Sequence, residues 1–232
     1  MSSIRLLHGT DHIIEVPVIN IGNPHNDYGP GFYCTKEDEM ACEWACKKNT
    51  DGFVNIYDFD DEDLNVLNLL DGRHSVLNWI ALLLTYRNFK LDTELSIDAR
   101  DYIIAHYSID LSEYDAVIGY RADDSYFQYA ESFVSNGLSL RSLNKALSLG
   151  KLGEQTAIIS QKGFERLRFI NAYPVDRSVY YSKFMNRDTS ARESFRNEIK
   201  KSRSYMDDIY VLDIMREEMS NDDPRIQRII LK

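Results

Sequence analysis

Apolar and polar positions along the chain follow two periods. Short runs of alternating or continuous apolar residues predict strands at Ile4 to Leu7, Phe53 to Phe59, Ala116 to Tyr120, Gln155 to Ser160 and Leu167 to Ile170. Apolar residues spaced by three and four predict helices over Ser75 to Arg87, Leu95 to His106, Ser125 to Ser135 and Leu140 to Leu147. Another helix is expected after Thr35, whose hydroxyl is placed to cap the next amides with Asp38 three residues on; it would turn Met40, Ala41, Trp44 and Ala45 inward. After Pro174 the composition changes. Residues 177–216 keep a helical period but are heavily charged, and "SNDDP" breaks the pattern before a last apolar tail. The expectation is an α+β domain over residues 1–174 and a helical extension over 175–232 packed on the same domain.

Composition narrows the class. With 232 residues, 44% hydrophobic and 28% charged, the chain can bury a sizeable core. A net charge of -10 and a pI near 5.0 argue against a surface that coats nucleic acid or anionic membrane as a whole. The run "WIALLL", Trp79 to Leu84, is far short of the roughly 20 apolar residues a bilayer requires. The N-terminus shows no apolar leader, and three cysteines make no paired framework, so a cytoplasmic protein is expected, with no membrane contact.

Two stretches suggest a binding site. In "LLHGT", Leu6 to Thr10, an imidazole and a bare glycine backbone follow a short strand, a pattern that an ordinary strand-to-loop junction also produces. In "HNDYGPGFYCT", His25 to Thr35, glycines and a proline shape a loop that runs into a short strand, Gly31 to Cys34. A period of two puts Phe32 and Tyr33 on opposite faces, one ring to the core and the other to a cleft. Taken together, a flat aromatic and free backbone groups are what a nicotinamide ring with its carboxamide needs.

Other features carry less. The acids Asp58 to Asp63 lack the spacing of a calcium loop and read as a solvated loop. Asp123 and Asp124 precede a helix and suit capping. Cys42 and Cys46 share a helix face without histidines to complete a zinc site, so no metal is expected. Residues 183–203 carry Lys183, Arg187, Arg192, Arg196, Lys200, Lys201 and Arg203 against three acids, interleaved with aromatics; this is either a salt-bridged surface helix or a nucleic-acid contact.

The stretches "LLHGT", "NDYGPGFYCT" with "EWA" after it, "GFVNIYDFD", "YDAVIGYRADD", "LGKLGEQTAII" and "YVLDIMREE" resemble, in order and over most of the chain, an uncharacterised bacterial family within the ADP-ribosyltransferase superfamily. The similarity is to the side of that superfamily that uses a His–Tyr–acidic/amide triad, as diphtheria toxin and the poly-ADP-ribose polymerases do. It implies a split β-sheet core clasping NAD as substrate, with surrounding helices. It implies cleavage between nicotinamide and ribose, and transfer of ADP-ribose to a protein or nucleic-acid acceptor, or to water as an NAD glycohydrolase. A bacterial toxin or defence effector with an antitoxin partner fits that picture. His8, Tyr33 and Gln155 match the catalytic triad. Gly9, Thr10, Asp27, Gly29, Gly31 and Phe32 fall in the segments that would hold NAD. Gln155 stands where better-known members carry glutamate, and Glu154 is the neighbouring alternative although it points to the opposite face. Asp27 either supplies the missing carboxylate or holds its own loop. A neutral amide orients but is not a base, so a non-catalytic nucleotide-binding or interaction module is the competing expectation.

Overall fold

The computed structural model describes residues 3–122, 124–149, 153–201 and 207–229. The strands are β1 (Ile4–Thr10), β2 (Phe32–Thr35), β3 (Gly52–Phe59), β4 (Val66–Asn68), β5 (Ala116–Tyr120), β6 (Glu154–Ile158) and β7 (Leu167–Val175). The helices are α1 (Asp38–Ala45), α2 (Val76–Tyr86), α3 (Glu94–Tyr107), α4 (Asp124–Val134), α5 (Leu140–Leu149), α6 (Gln161–Glu165), α7 (Arg177–Lys201), α8 (Val211–Arg216) and α9 (Pro224–Gln227). The class is α+β. No helix among the described residues is long and apolar enough to cross a membrane.

The chain divides into two compact units, each assembled from separate segments. The first comprises Met1–Asn68, Leu111–Arg121 and Gly153–Thr189 and holds the entire sheet; the second comprises Leu69–Asp110, Ala122–Leu152 and Ser190–Lys232. The composition change after Pro174 coincides with the end of β7 and the start of α7.

In the first unit the strand order is β4-β5-β6-β2-β1-β3-β7, antiparallel throughout except for the parallel β4–β5 pair. Consecutive β1 residues serve opposite faces, as a period of two requires. Leu7 packs with Val54, Ile56 and the Ala41, Cys42 and Ala45 side of α1. Leu6 packs with Phe32, Cys34, Tyr57, Phe59, Ala116 and Ile158. Each large side chain buried in this way contributes roughly 1.5–3 kcal/mol.

The helix α1 lies so close to β1 that only glycine fits beneath it. A Cβ at Gly9 would stand 1.9 Å from the Ala41 carbonyl oxygen, and one at Gly52 would stand 2.0 Å from that of Ala45. Its buried side is Met40, Ala41, Cys42 and Ala45, with Trp44 only half-buried. Thr35 is not its cap. It is a buried strand residue whose hydroxyl donates to the Glu154 carbonyl at 2.9 Å and accepts from the Glu37 N–H, and α1 begins after Glu37 without a side-chain cap.

The sheet differs from the expected strands at its margins. β7 continues through Pro174, which pairs with Phe53; as the last strand of the sheet it has one edge that needs no backbone donor. β4 and α6 are too short to show a period in the sequence.

The second unit is helical. The apolar run "WIALLL" forms the body of α2, buried on nearly every side, and Asn78 closes its first turn by accepting from the Ser75 N–H at 2.9 Å. Asn78 also donates to the Tyr107 carbonyl at 2.9 Å, tying α2 to α3.

Candidate functional site

The sheet is nearly split in two. β1 and β2 meet at one register position, Leu7 opposite Thr35, although both strands run on past it. Continued pairing would place Gly9 beside Tyr33; instead the two strands part there. The His8 ring bridges the gap, with Nδ1 2.7 Å from the Tyr33 carbonyl oxygen. A carbonyl only accepts, so Nδ1 carries the proton and Nε2 is the acceptor of the neutral ring. Among the described residues Nε2 has no hydrogen-bond partner. Burial lowers the His8 pKa below the usual histidine value; the Tyr33 bond opposes that shift and His12 adds to it. The ring lies on Phe32, centroids 4.3 Å apart.

Register sets the faces. Thr35 opposes both Leu7 and Gln155, so Leu7, Tyr33, Thr35 and Gln155 share one face, and His8 and Phe32 lie on the other. Tyr33 and Gln155 are diagonal neighbours across β2 and β6, within reach of a common ligand.

A strap from the β1–β2 connection closes over the Tyr33 face. The Tyr33 hydroxyl donates to the Gly29 carbonyl at 2.7 Å and accepts from the Tyr28 N–H at 3.0 Å. The Tyr28 ring, 1% exposed, runs parallel to that of Tyr33 at 6.5 Å, and its hydroxyl donates to the Tyr120 carbonyl at 2.8 Å. Gln155 Nε2 donates to Asp27 Oδ2 at 2.7 Å and to the Tyr120 carbonyl at 3.2 Å. Gln155 and Asp27 are 3% and 5% exposed, so the amide meets its partners out of water, where each bond counts for more. Gly29 takes φ +78°, a left-handed turn that suits glycine and brings the strap back toward β2.

The structure therefore gathers Tyr33, Gln155, Asp27 and Gly29 on one face and places His8 with Phe32 on the other. Gly31 packs against β6, where a Cβ would stand 2.9 Å from the Ile158 carbonyl oxygen. Thr10 ends β1 with its hydroxyl toward Asp11. Glu154 is solvent-facing, its carboxylate 3.7 Å from Lys36 Nζ.

Several residues that shape this region belong to no motif that marks them as site residues. Asn55, fully buried, accepts from the Ile14 N–H at 2.9 Å and donates to the His12 carbonyl at 3.2 Å, while the Tyr57 hydroxyl donates to the Ile14 carbonyl. Together they pin the chain as it leaves β1. Arg121, directly after β5, lies over the Trp44 ring of α1 at 5.3 Å.

The remaining candidates find structural partners. Asp58 pairs with Arg168, Asp60 with Arg166 at 3.0 Å, and no group of metal-ligating side chains occurs among the described residues. Burial raises the Cys42 and Cys46 thiols above their ordinary range. Lys183 and Arg187 pair with Glu39 and Glu43 of α1 at 2.8 and 2.6 Å. The side chains of Arg192, Arg196, Lys200, Lys201 and Arg203, and those of Asp123 and Asp124, lie outside the described residues. In the second unit a cavity of about 530 Å³ is lined by Arg73, His74, Ser75, Asn78 and Asn221 among others.

A family model described as "Protein of unknown function (DUF3990)" matches residues 4–169. The chain belongs to the DUF3990 family. The match takes in β1 through β6, and hence His8, Asp27, Tyr33 and Gln155. No curated protein and no solved structure matches.

Proposed function

We propose that this DUF3990 protein is an NAD-dependent ADP-ribosyltransferase, a bacterial toxin or defence effector of the cytoplasm, with a protein or nucleic-acid acceptor and an antitoxin partner. The observation that carries the reading is the parting of β1 and β2 beyond Leu7 and Thr35, bridged by His8, with Tyr33 and Gln155 on one face of the opening. The sequence resemblance calls for such a split β-sheet.

In this reading nicotinamide stacks on Tyr33, and its carboxamide meets backbone groups near Gly9. The neutral His8 presents Nε2 to a ribose hydroxyl, and Gln155 presents Oε1 to another. Arg121 supplies positive charge for the diphosphate. The bond between C1′ and the nicotinamide nitrogen breaks with its electron pair going to that nitrogen, which becomes neutral. The ribose carbon, left as an oxocarbenium ion, takes an oxygen lone pair from the acceptor or from water, whose proton passes to solvent. The site contributes by orienting the leaving group and holding the cation.

The test is nicotinamide release from NAD by the purified protein, alone and with total RNA or cell lysate. Release that Tyr33→Ala and Gln155→Ala abolish supports the reading, and stimulation by one acceptor class identifies the substrate. One observation favours a second reading, a non-catalytic nucleotide-binding or interaction module: Gln155 is neutral and its amide protons are already committed. NAD binding without release under every condition would select it.

A further inference from the structure

Departure of nicotinamide leaves a cation on the ribose, and Gln155 brings no charge of its own to meet it. Its amide is bonded to one that does. We propose that Asp27 is the charge-bearing positioning residue of this site, its carboxylate acting through the Gln155 amide on the ribose cation. The inference rests on the reading of the protein as an NAD-cleaving enzyme.

The orientation of the Gln155 amide follows from chemistry rather than from the choice between two similar atoms. Asp27 Oδ2 and the Tyr120 carbonyl both accept, at 2.7 and 3.2 Å, so the nitrogen faces them and spends both protons there. Oε1 is the atom left to accept from substrate. A hydrogen bond from Nε2 to a carboxylate draws electron density through the amide toward Oε1, in surroundings too dry to screen the effect. Oε1 thus becomes a stronger acceptor for a ribose hydroxyl at the moment positive charge develops beside it.

The same contact explains the residue type at 155. A glutamate there would set its carboxylate against the Asp27 carboxylate and the Tyr120 carbonyl, three acceptors without a proton among them. Glutamine is the residue that offers the Asp27 carboxyl a hydrogen-bond donor. The carboxylate is also held in place, because the next two strap residues are bonded through Tyr28 to Tyr120 and through Tyr28 and Gly29 to Tyr33. When nicotinamide leaves, the C1′–N electron pair departs with it, and Asp27 gains no proton; its contribution is field and orientation.

The test compares steady-state nicotinamide release and thermal unfolding for the full-length wild type, Asp27→Asn, Gln155→Glu and the double variant. Asp27→Asn keeps the shape and an acceptor oxygen for Gln155, so folding is retained while the charge goes. The expected result is a kcat lower by about 10- to 100-fold with a much smaller change in KM for NAD. Gln155→Glu alone is also impaired. In the double variant the charge moves to position 155 and the amide to 27, and kcat recovers at least about tenfold over Asp27→Asn. Wild-type kcat in Asp27→Asn, or a double variant no faster than Asp27→Asn, overturns the inference while leaving an active enzyme. A wild type that releases no nicotinamide under any condition overturns the reading of the protein as an NAD-cleaving enzyme, and this inference with it.

Discussion

The Tyr33 hydroxyl stands 2.7 Å from the Gly29 carbonyl oxygen, so the aromatic of β2 and the strap that crosses it form one hydrogen-bonded piece. Tyr33→Phe keeps the ring and removes that anchor, leaving both the Gly29 carbonyl and the Tyr28 N–H without it. A loss of about 1–3 kcal/mol in stability is expected. Amide exchange should rise selectively across residues 20–31. If the strap amides exchange as slowly as in the wild type, the hydroxyl is not what holds them.

Gly9 sits under α1, and a methyl group there collides with the Ala41 carbonyl oxygen rather than with solvent or ligand. Gly9→Ala is expected to cost about 3 kcal/mol or more, because the helix backbone has to move. Gly29→Ala, strained by its positive φ, should cost about 1 kcal/mol from the backbone. Thermal unfolding of the two variants checks the order. Activity lost in Gly9→Ala would therefore report on packing first.

The crowding at Gly9 comes from long-range packing that local sequence does not encode. The alternation of Phe32 and Tyr33 was legible because a strand has a period of two and one of its faces is buried. So were β3, β5 and α2, each long or apolar enough to show its period. The glycine after His8 suggests open backbone for a ligand when only its neighbours are considered, while the crowding that excludes a Cβ there comes from a helix more than thirty residues on. Thr35 looked like a helix cap from its neighbours, but its hydroxyl is engaged by β6. Pro174 is tolerated inside β7 because that strand lies at the sheet's edge. The bond between Asp27 and Gln155 joins positions 128 residues apart through an irregular loop, and no local pattern encodes it.

The charged helix α7 yields a separate prediction. Arg187 meets Glu43 at 2.6 Å, and Glu43 is only 10% exposed on its side chain. Arg187→Ala strands that carboxylate against α1 and should lower stability by about 3 kcal/mol. Glu43→Gln with Arg187→Met should recover part of the loss, since no buried charge is then left alone. Denaturant unfolding of the single and double variants decides it. A single variant as stable as the wild type would show that the pair is solvated enough to be dispensable.

His8 provides the pH dependence. Burial holds its folded-state pKa below the ordinary value of 6.5, and His12 pushes in the same direction. Below about pH 6.5 the unfolded chain therefore takes up a proton that the folded site refuses, so the stability contributed by neutral His8 is fully present above that pH and fades as pH falls. His74, also lowered by burial, adds a slope of the same sign from the second unit. Between pH 7.5 and 5.5 the unfolding midpoint should fall with pH, and His8→Asn, which keeps a donor for the Tyr33 carbonyl, should flatten part of that fall. Nicotinamide release should persist somewhat below pH 6.5, because the imidazole remains neutral there and Nε2 keeps its lone pair. A His8→Asn variant whose stability tracks pH as steeply as the wild type would place the titrating group elsewhere.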